Sequence, residues 1–272
     1  MVVGSFANTS GSTTQSFLAE RAAIPGMRVR RAFNSGMPVS IAATEASGDA
    51  AAGVVTFLSV KPSFTAVGSD DARIASLARS LSPGSYLTAW HEPENDMSAG
   101  QYVAMFRNFY LVAKAANPAV KVGNVYMTYQ WGVGRRVGTP DDWWVGANST
   151  DFLATDTYMD TWQADPAGNP RPLSADPDHL RWHSWAAGKG KPLLLTESGV
   201  GQGFSDAQRA AYYTAAEVWL RAQGYRMLLP WNGAGTPPTG ESWDYYGGAR
   251  SWPLTLAALR GIGSRGQADA QL

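Results

Sequence analysis

Short apolar runs alternate with longer amphipathic ones along almost the whole chain. The short runs predict strands over residues 2–8, 27–33, 53–60, 86–92, 120–128, 151–159, 191–198 and 225–232. Several, such as "GVVTFLSV" and "KPLLLTES", are nearly continuous in apolar residues. Parallel strands covered on both faces have that character. The longer runs predict helices over 13–23, 69–81, 98–116, 176–188, 205–224 and 251–263. Ile74, Leu77 and Leu81 recur at helical spacing, Thr13 and Ser205 are start signals, and Gly188 and Gly224 are stop signals. The segments after the second and fifth strands, "MPVSIAATEASGDAA" and "DDWWVGA", leave room only for short helices.

Eight strands alternating with helices over about 250 residues predict an α/β fold, a single (β/α)8 TIM barrel spanning residues 1–262 with a flexible tail at 263–272. A doubly wound open sheet is the structural alternative. It is disfavoured because "GVGQG" (199–203) lacks the spacing of a dinucleotide-binding loop.

Composition narrows the function. Lys plus Arg and Asp plus Glu are 22 each, so net charge gives no case for nucleic acid or an anionic membrane as partner. With no cysteine, thiol catalysis and disulfides are excluded. No apolar run approaches the ~20 residues of a membrane span. The first residues lack the basic start and apolar core of a leader. A strand-like segment beginning at Val2 favours a chain whose leader is absent, or a module of a larger protein, and hence an extracellular or surface location; a cytoplasmic one stays open.

In a barrel the active site lies at the C-terminal ends of the strands. Two of those ends carry glutamate, Glu92 on the fourth strand and Glu197 on the seventh. Either alone reads most simply as a solvated or salt-bridged residue. Together they supply what glycoside hydrolysis needs, one protonated carboxyl for the leaving oxygen and one ionised carboxylate for the anomeric carbon.

The motifs around them, "TAWHEPEND" and "LLLTESG", resemble the fourth- and seventh-strand motifs of clan GH-A glycoside hydrolases. The Trp-His-Glu run, with His91 where most of the clan has Asn, is most similar to glycoside hydrolase family 26, which is β-mannanase-like. "DDWWVGANSTDFLATDTYMD" (141–160) is similar to that family's sixth-strand region, and "VVTFLSVKP" (54–62) loosely to its third-strand region, with Lys61-Pro62 where the family often has Trp. The resemblance implies a retaining endo-β-glycanase acting on a polysaccharide or oligosaccharide, without cofactor. It implies Glu92 as acid/base, Glu197 as nucleophile, and Tyr158 as hydrogen-bond partner of the nucleophile. It also implies an arginine near the nucleophile, and either Arg30 or Arg31 fits.

His91 is expected at the sugar or the nucleophile. Trp231 is expected as the floor under the sugar at the cleavage point, with Trp131 and Trp162 lining further subsites. Asn232, Asp156 and Glu94 are candidate polar contacts. Trp143, Trp144, Trp182 and Trp185 read as packing residues, and Trp243 as a loop residue. His179 and His183 are four apart on one helix but lack the internal Glu and third ligand of a zinc helix, so no metal is expected. The alternative from another class is a carbohydrate-binding barrel without catalysis, carried by a larger surface or virion protein.

Overall fold

The computed structural model describes residues 1–7, 13–233, 243–247 and 251–269. Residue 8 of the first expected strand and residues 270–272 of the expected tail lie outside them. Among the described residues, nine strands alternate with six α-helices. The strands are β1 (Val2–Ala7), β2 (Met27–Phe33), β3 (Val55–Val60), β4 (Tyr86–Ala89), β5 (Lys121–Val122), β6 (Asn124–Met127), β7 (Leu153–Met159), β8 (Leu193–Val200) and β9 (Met227–Asn232). The helices are α1 (Thr14–Ala23), α2 (Asp71–Ser80), α3 (Ala99–Ala116), α4 (Pro177–Ala187), α5 (Asp206–Ala222) and α6 (Pro253–Asp269). No described helix is long and apolar enough to cross a membrane.

The strands form one sheet in the order β5-β4-β3-β2-β1-β9-β8-β7-β6. Pairing is parallel between β1 and both β2 and β9, between β4 and both β3 and β5, and between β6 and β7. The two edge strands of that order, β5 and β6, are halves of one extended segment interrupted at Gly123. The segment therefore pairs with β4 through its first half and with β7 through its second, and the sheet returns on itself as a barrel. The expected fifth strand is thus one barrel strand changing partner.

Gly123 makes the change possible. Its N–H donates to the Leu87 carbonyl at 3.2 Å. A Cβ there would lie 2.5 Å from both the ring and the carbonyl oxygen of Phe152. Only a residue without a side chain lets the Phe152 backbone come that close.

The helix ends follow the expected chemistry. Ser98 and Gln101 form a reciprocal capping box on α3, and Ser205 and Gln208 one on α5. Thr13 accepts from the Ser16 N–H at the start of α1. After β2 there is a single short 3₁₀ turn, and between β6 and β7 there are three, as the weak helical pattern of both segments predicts.

The chain forms two compact units. One comprises Arg31–Asp156 and Pro177–Leu194, with Leu58, Leu77, Leu87, Phe106, Phe109 and Val122 in its core. The other comprises Met1–Arg30, Thr157–Asp176 and Leu195–Leu272, with Phe17, Tyr213, Leu220, Leu228, Leu259 and Ile262 in its core.

In the latter unit the chain beyond residue 262, expected as a flexible tail, continues as α6 to Asp269. Gly26 and Gly263 meet backbone to backbone: a Cβ on Gly26 would lie 2.1 Å from the Gly263 carbonyl oxygen. Arg265 forms an ion pair with the buried Glu217 carboxylate, which Arg221 also holds at 2.8 Å. A sequence that looks weakly apolar and glycine-rich is fixed here by close backbone contact and charge.

The same unit buries Glu20, on the inner face of α1, completely. Its carboxyl takes hydrogen bonds from Tyr245 Oη and from Asn232 Nδ2. Burial, opposed only in part by hydrogen bonds from Tyr245, Ser5 and Asn232, pushes its pKa up to about 7. The folded state therefore binds a proton more tightly than the unfolded chain. The stability this contributes is fully present below about pH 4.5 and is lost as pH rises through about 7.

A Glu20→Gln variant should flatten the decline of stability between those limits, a range worth about 3 kcal/mol in the wild type. Urea midpoints measured from pH 5 to pH 8 check this; an unchanged slope overturns it. A Gly123→Ala variant should lose about 1–3 kcal/mol through forced separation from Phe152, read as a lowered Tm with no change in helix content.

Candidate active site

In the unit that contains Glu92, β4 ends at Ala89, earlier than the apolar run suggests. Trp90 and Glu92 both have left-handed backbone, φ 51° and 54°. Each left-handed non-glycine residue costs about 1–2 kcal/mol and persists only where its surroundings over-determine it. Those surroundings are evident. The Trp90 N–H donates to the Val60 carbonyl at 2.9 Å and its indole to the Pro62 carbonyl at 2.6 Å. The Glu92 N–H donates to the Val125 carbonyl at 3.0 Å. Pro93–Asn95 then form a 3₁₀ turn. Glu92 therefore stands half-buried on a strained turn beyond the strand rather than on the strand itself.

Arg30 and Arg31, the two candidates at the end of β2, are both buried, and Arg31 donates to Ser59 Oγ at 2.6 Å and stacks its guanidinium over Phe33 and Phe57. His91 packs edge-on against Phe33 with ring centroids 4.9 Å apart. Burial, with the positive charges of Arg31 and Lys61 nearby, holds the His91 pKa well below the usual imidazole range. His91 is therefore a neutral imidazole at ordinary pH. Lys61 lies over the Trp90 ring at 4.5 Å. Asp156, in β7, is buried and brings a carboxylate oxygen within 4.8 Å of one from Glu92. An open cleft of about 490 Å³ runs beside the turn, lined by Glu94, Asp96, Arg136, Asp142 and Trp143 among others.

In the other unit, Glu197 lies inside β8, which continues to Val200. It is buried, and Tyr158 Oη donates to its Oε2 at 2.5 Å. That is the partner expected for it. Trp231 is half-buried, stacked on Phe6 at 3.9 Å and edge-on to Tyr158 at 6.2 Å. Trp162 is 59% exposed, with its indole 3.3 Å from Asp160 Oδ2.

Trp243, which the sequence marks only as a loop residue, packs its ring 4.8 Å from Tyr158 and donates to Asp160 Oδ1 at 3.1 Å. A Cβ on Gly199 would touch both Trp243 and Tyr158 at 2.7 Å, so the glycine in "TESG" gives these two rings their room. No local pattern marks Trp243; its partners are far away in sequence.

Two expected substrate contacts are corrected. Trp131 is fully buried rather than lining a subsite, and donates its indole N–H to Glu94 Oε1 at 2.7 Å. It packs against Tyr126 and Trp185, because the 3₁₀ turn after β6 points it inward. Asn232 is also fully buried. It donates to Glu20 and to the Tyr246 carbonyl, and accepts from the N–H groups of Tyr245 and Tyr246. It fastens the 245–246 segment to the end of β9.

Glu94, expected as a polar contact, is a buried carboxyl whose pKa burial pushes up to about 8. His179 is buried in α4, and burial, with the His183 charge as a lesser cause, lowers its pKa to about 3. Of the four tryptophans read as packing residues, Trp143 and Trp182 are buried, while Trp144 and Trp185 are half-buried and meet edge-on at 5.9 Å.

No model of a protein family matches the chain, and neither does any curated protein. Solved structures do. A family 39 glycoside hydrolase from Bacteroides cellulosilyticus WH2 superposes with a TM-score of 0.64 at 15% identity, over 97% of this chain and 62% of that one. Cel5A from Thermotoga maritima, in a complex with mannotriose, gives 0.63 at 10% identity, over 94% and 96%. A GH26 β-mannanase from Bacteroides ovatus gives 0.61 at 12% identity, over 98% and 89%. The chain spans 66% of the length of a similar glucosidase from Croceicoccus marinus, and 62% of the family 39 enzyme. The fold of this chain is the parallel strand barrel, surrounded by helices, of these glycosidase structures.

Proposed function

We propose that the protein is a retaining glycoside hydrolase that cleaves β-glycosidic bonds within a polysaccharide, in the manner of an endo-β-glycanase. The observation that carries this reading is the hydrogen bond from Tyr158 to the buried Glu197 carboxylate, on a strand of a barrel shared with solved endo-glycanases. The mannotriose-bound Cel5A and the GH26 β-mannanase among the similar structures support a β-linked glycan as substrate class.

In this reaction Glu197 attacks the anomeric carbon as the bond to the leaving oxygen breaks, and Glu92 gives that oxygen its proton. A glycosyl ester to Glu197 results. Glu92, now ionised, removes a proton from water, which adds to the anomeric carbon and releases Glu197. Tyr158 orients the Glu197 carboxylate through its hydrogen bond to Oε2. Neutral His91 donates or accepts a hydrogen bond at the sugar, and Trp231 and Trp162 offer aromatic faces to the apolar faces of sugar rings. A polymer substrate of this kind lies outside the cell, so we place the protein there or on the cell surface; its appearance only in the cytoplasmic fraction would contradict that.

Glu197→Gln should lower turnover by at least on the order of 10³-fold with the fold intact. Tyr158→Phe should lower it by about 10–100-fold. Reducing-sugar release from mannan, xylan and β-glucan, with circular dichroism as the folding control, measures both. Full activity of Glu197→Gln would overturn the reading, and binding without release of product by the wild type would favour a carbohydrate-binding barrel. Proton NMR of the first product should show the anomer of the substrate; the opposite anomer removes the nucleophile role from Glu197.

A further inference from the structure

We propose that Glu94 is the positioning residue for Glu92, its buried carboxyl holding the left-handed turn on which Glu92 stands. The proposal rests on the acid/base reading of Glu92. It starts from an accounting of backbone hydrogen bonds. β4 stops at Ala89, while β6 runs on to Met127. The Val125 carbonyl is taken by the Glu92 N–H at 3.0 Å. Two residues on, the Met127 N–H has no β4 carbonyl opposite it. The Glu94 carboxyl takes that place, with its oxygens 3.3 and 3.4 Å from Met127 N. The side chain of Glu94 thus stands in for the missing strand.

Other contacts make this attachment firm. The Trp131 indole donates to Glu94 Oε1 at 2.7 Å. The Asn95 N–H closes the turn onto the Glu92 carbonyl at 3.1 Å, and Arg136 donates to the carbonyls of Asn95 at 2.6 Å and Glu94 at 3.3 Å. Gln130 donates to Asn95 Oδ1 at 2.7 Å. Glu92 is therefore gripped at its own N–H and again two residues later. Two left-handed residues, Trp90 and Glu92, need this degree of constraint to persist.

The burial that raises the Glu94 pKa to about 8 leaves it a neutral acid at neutral pH. An amide of the same shape keeps the acceptor oxygen and the neutral state. Loss of the grip displaces the Glu92 carboxyl and weakens proton donation to the leaving oxygen, while leaving attack by Glu197 intact.

The test uses leaving-group dependence, which general damage to the fold does not produce. The probes are 2,4-dinitrophenyl β-cellobioside and β-mannobioside, whose leaving groups need no proton, and the corresponding β-glucan and mannan. Glu94→Ala should lower kcat on the active polymer by about 100-fold with KM within about threefold. On the dinitrophenyl glycoside its rate of first bond cleavage, read as the burst of dinitrophenolate, should stay within about threefold of wild type. Glu94→Gln should restore polymer turnover to within about fivefold of wild type. Trp131→Phe, which removes only the indole donor, should fall in the same direction as Glu94→Ala by a smaller factor, and serves if Glu94→Ala does not fold.

Equal losses on polymer and dinitrophenyl glycoside, no loss on either, or a Glu94→Gln variant as impaired as Glu94→Ala overturn the proposal. Glu92→Ala provides the reference. If it lacks the selective loss on polymer, the acid/base reading itself fails; if it shows that loss and Glu94→Ala does not, only the role of Glu94 fails.

Discussion

The packing of Phe152 against the bare backbone of Gly123 is the constraint on which the barrel depends. A sheet of parallel strands has two edges, and each edge carries unsatisfied N–H and C=O groups. Here one extended segment removes both edges by bonding to β4 before Gly123 and to β7 after it. A side chain at that point would push Phe152 away and leave the second half of the segment without its partner. With the sheet closed, the C-terminal ends of the strands face one end of a barrel, where sequence-distant loops can present functional groups.

Closure also creates the local problem at β4. That strand is short, so β6 outlasts it, and the chain leaves β4 through two left-handed residues. Backbone carbonyls of Val60 in β3, Pro62 just beyond it and Val125 in β6 then bind the departing turn. The strain in the turn and the hydrogen bonds that hold it set the orientation of the Glu92 side chain. Here the chain departs from its preferred conformation at Trp90 and at Glu92 itself.

Charge is handled by burial more than by pairing. Glu20 and Glu94 are buried with hydrogen-bond donors around them, and their pKa values rise to about 7 and about 8. Such groups are more stable as neutral acids, since taking a lone charge out of water is costly. His91 and His179 are driven the other way for the same reason, each toward its neutral form.

The sequence by itself determined the alternation of strands and helices, the parallel sheet, and the Tyr158–Glu197 pairing as an expectation that the structure meets with a hydrogen bond. These are properties of periodicity and short motifs, which local physics imposes on neighbouring residues. The tertiary structure alone decided which tryptophans are buried and which are exposed. Trp131 and Trp162 carry the same side chain after neighbouring strands, yet one is sealed against Glu94 and the other is 59% exposed. It also decided that Arg31 meets Ser59, that Asn232 is a fastener for residues 245–246, and that the chain beyond residue 262 is helical. Each of these depends on contacts between residues distant in sequence, and hydrophobic pattern carries no record of which distant backbone a side chain will meet.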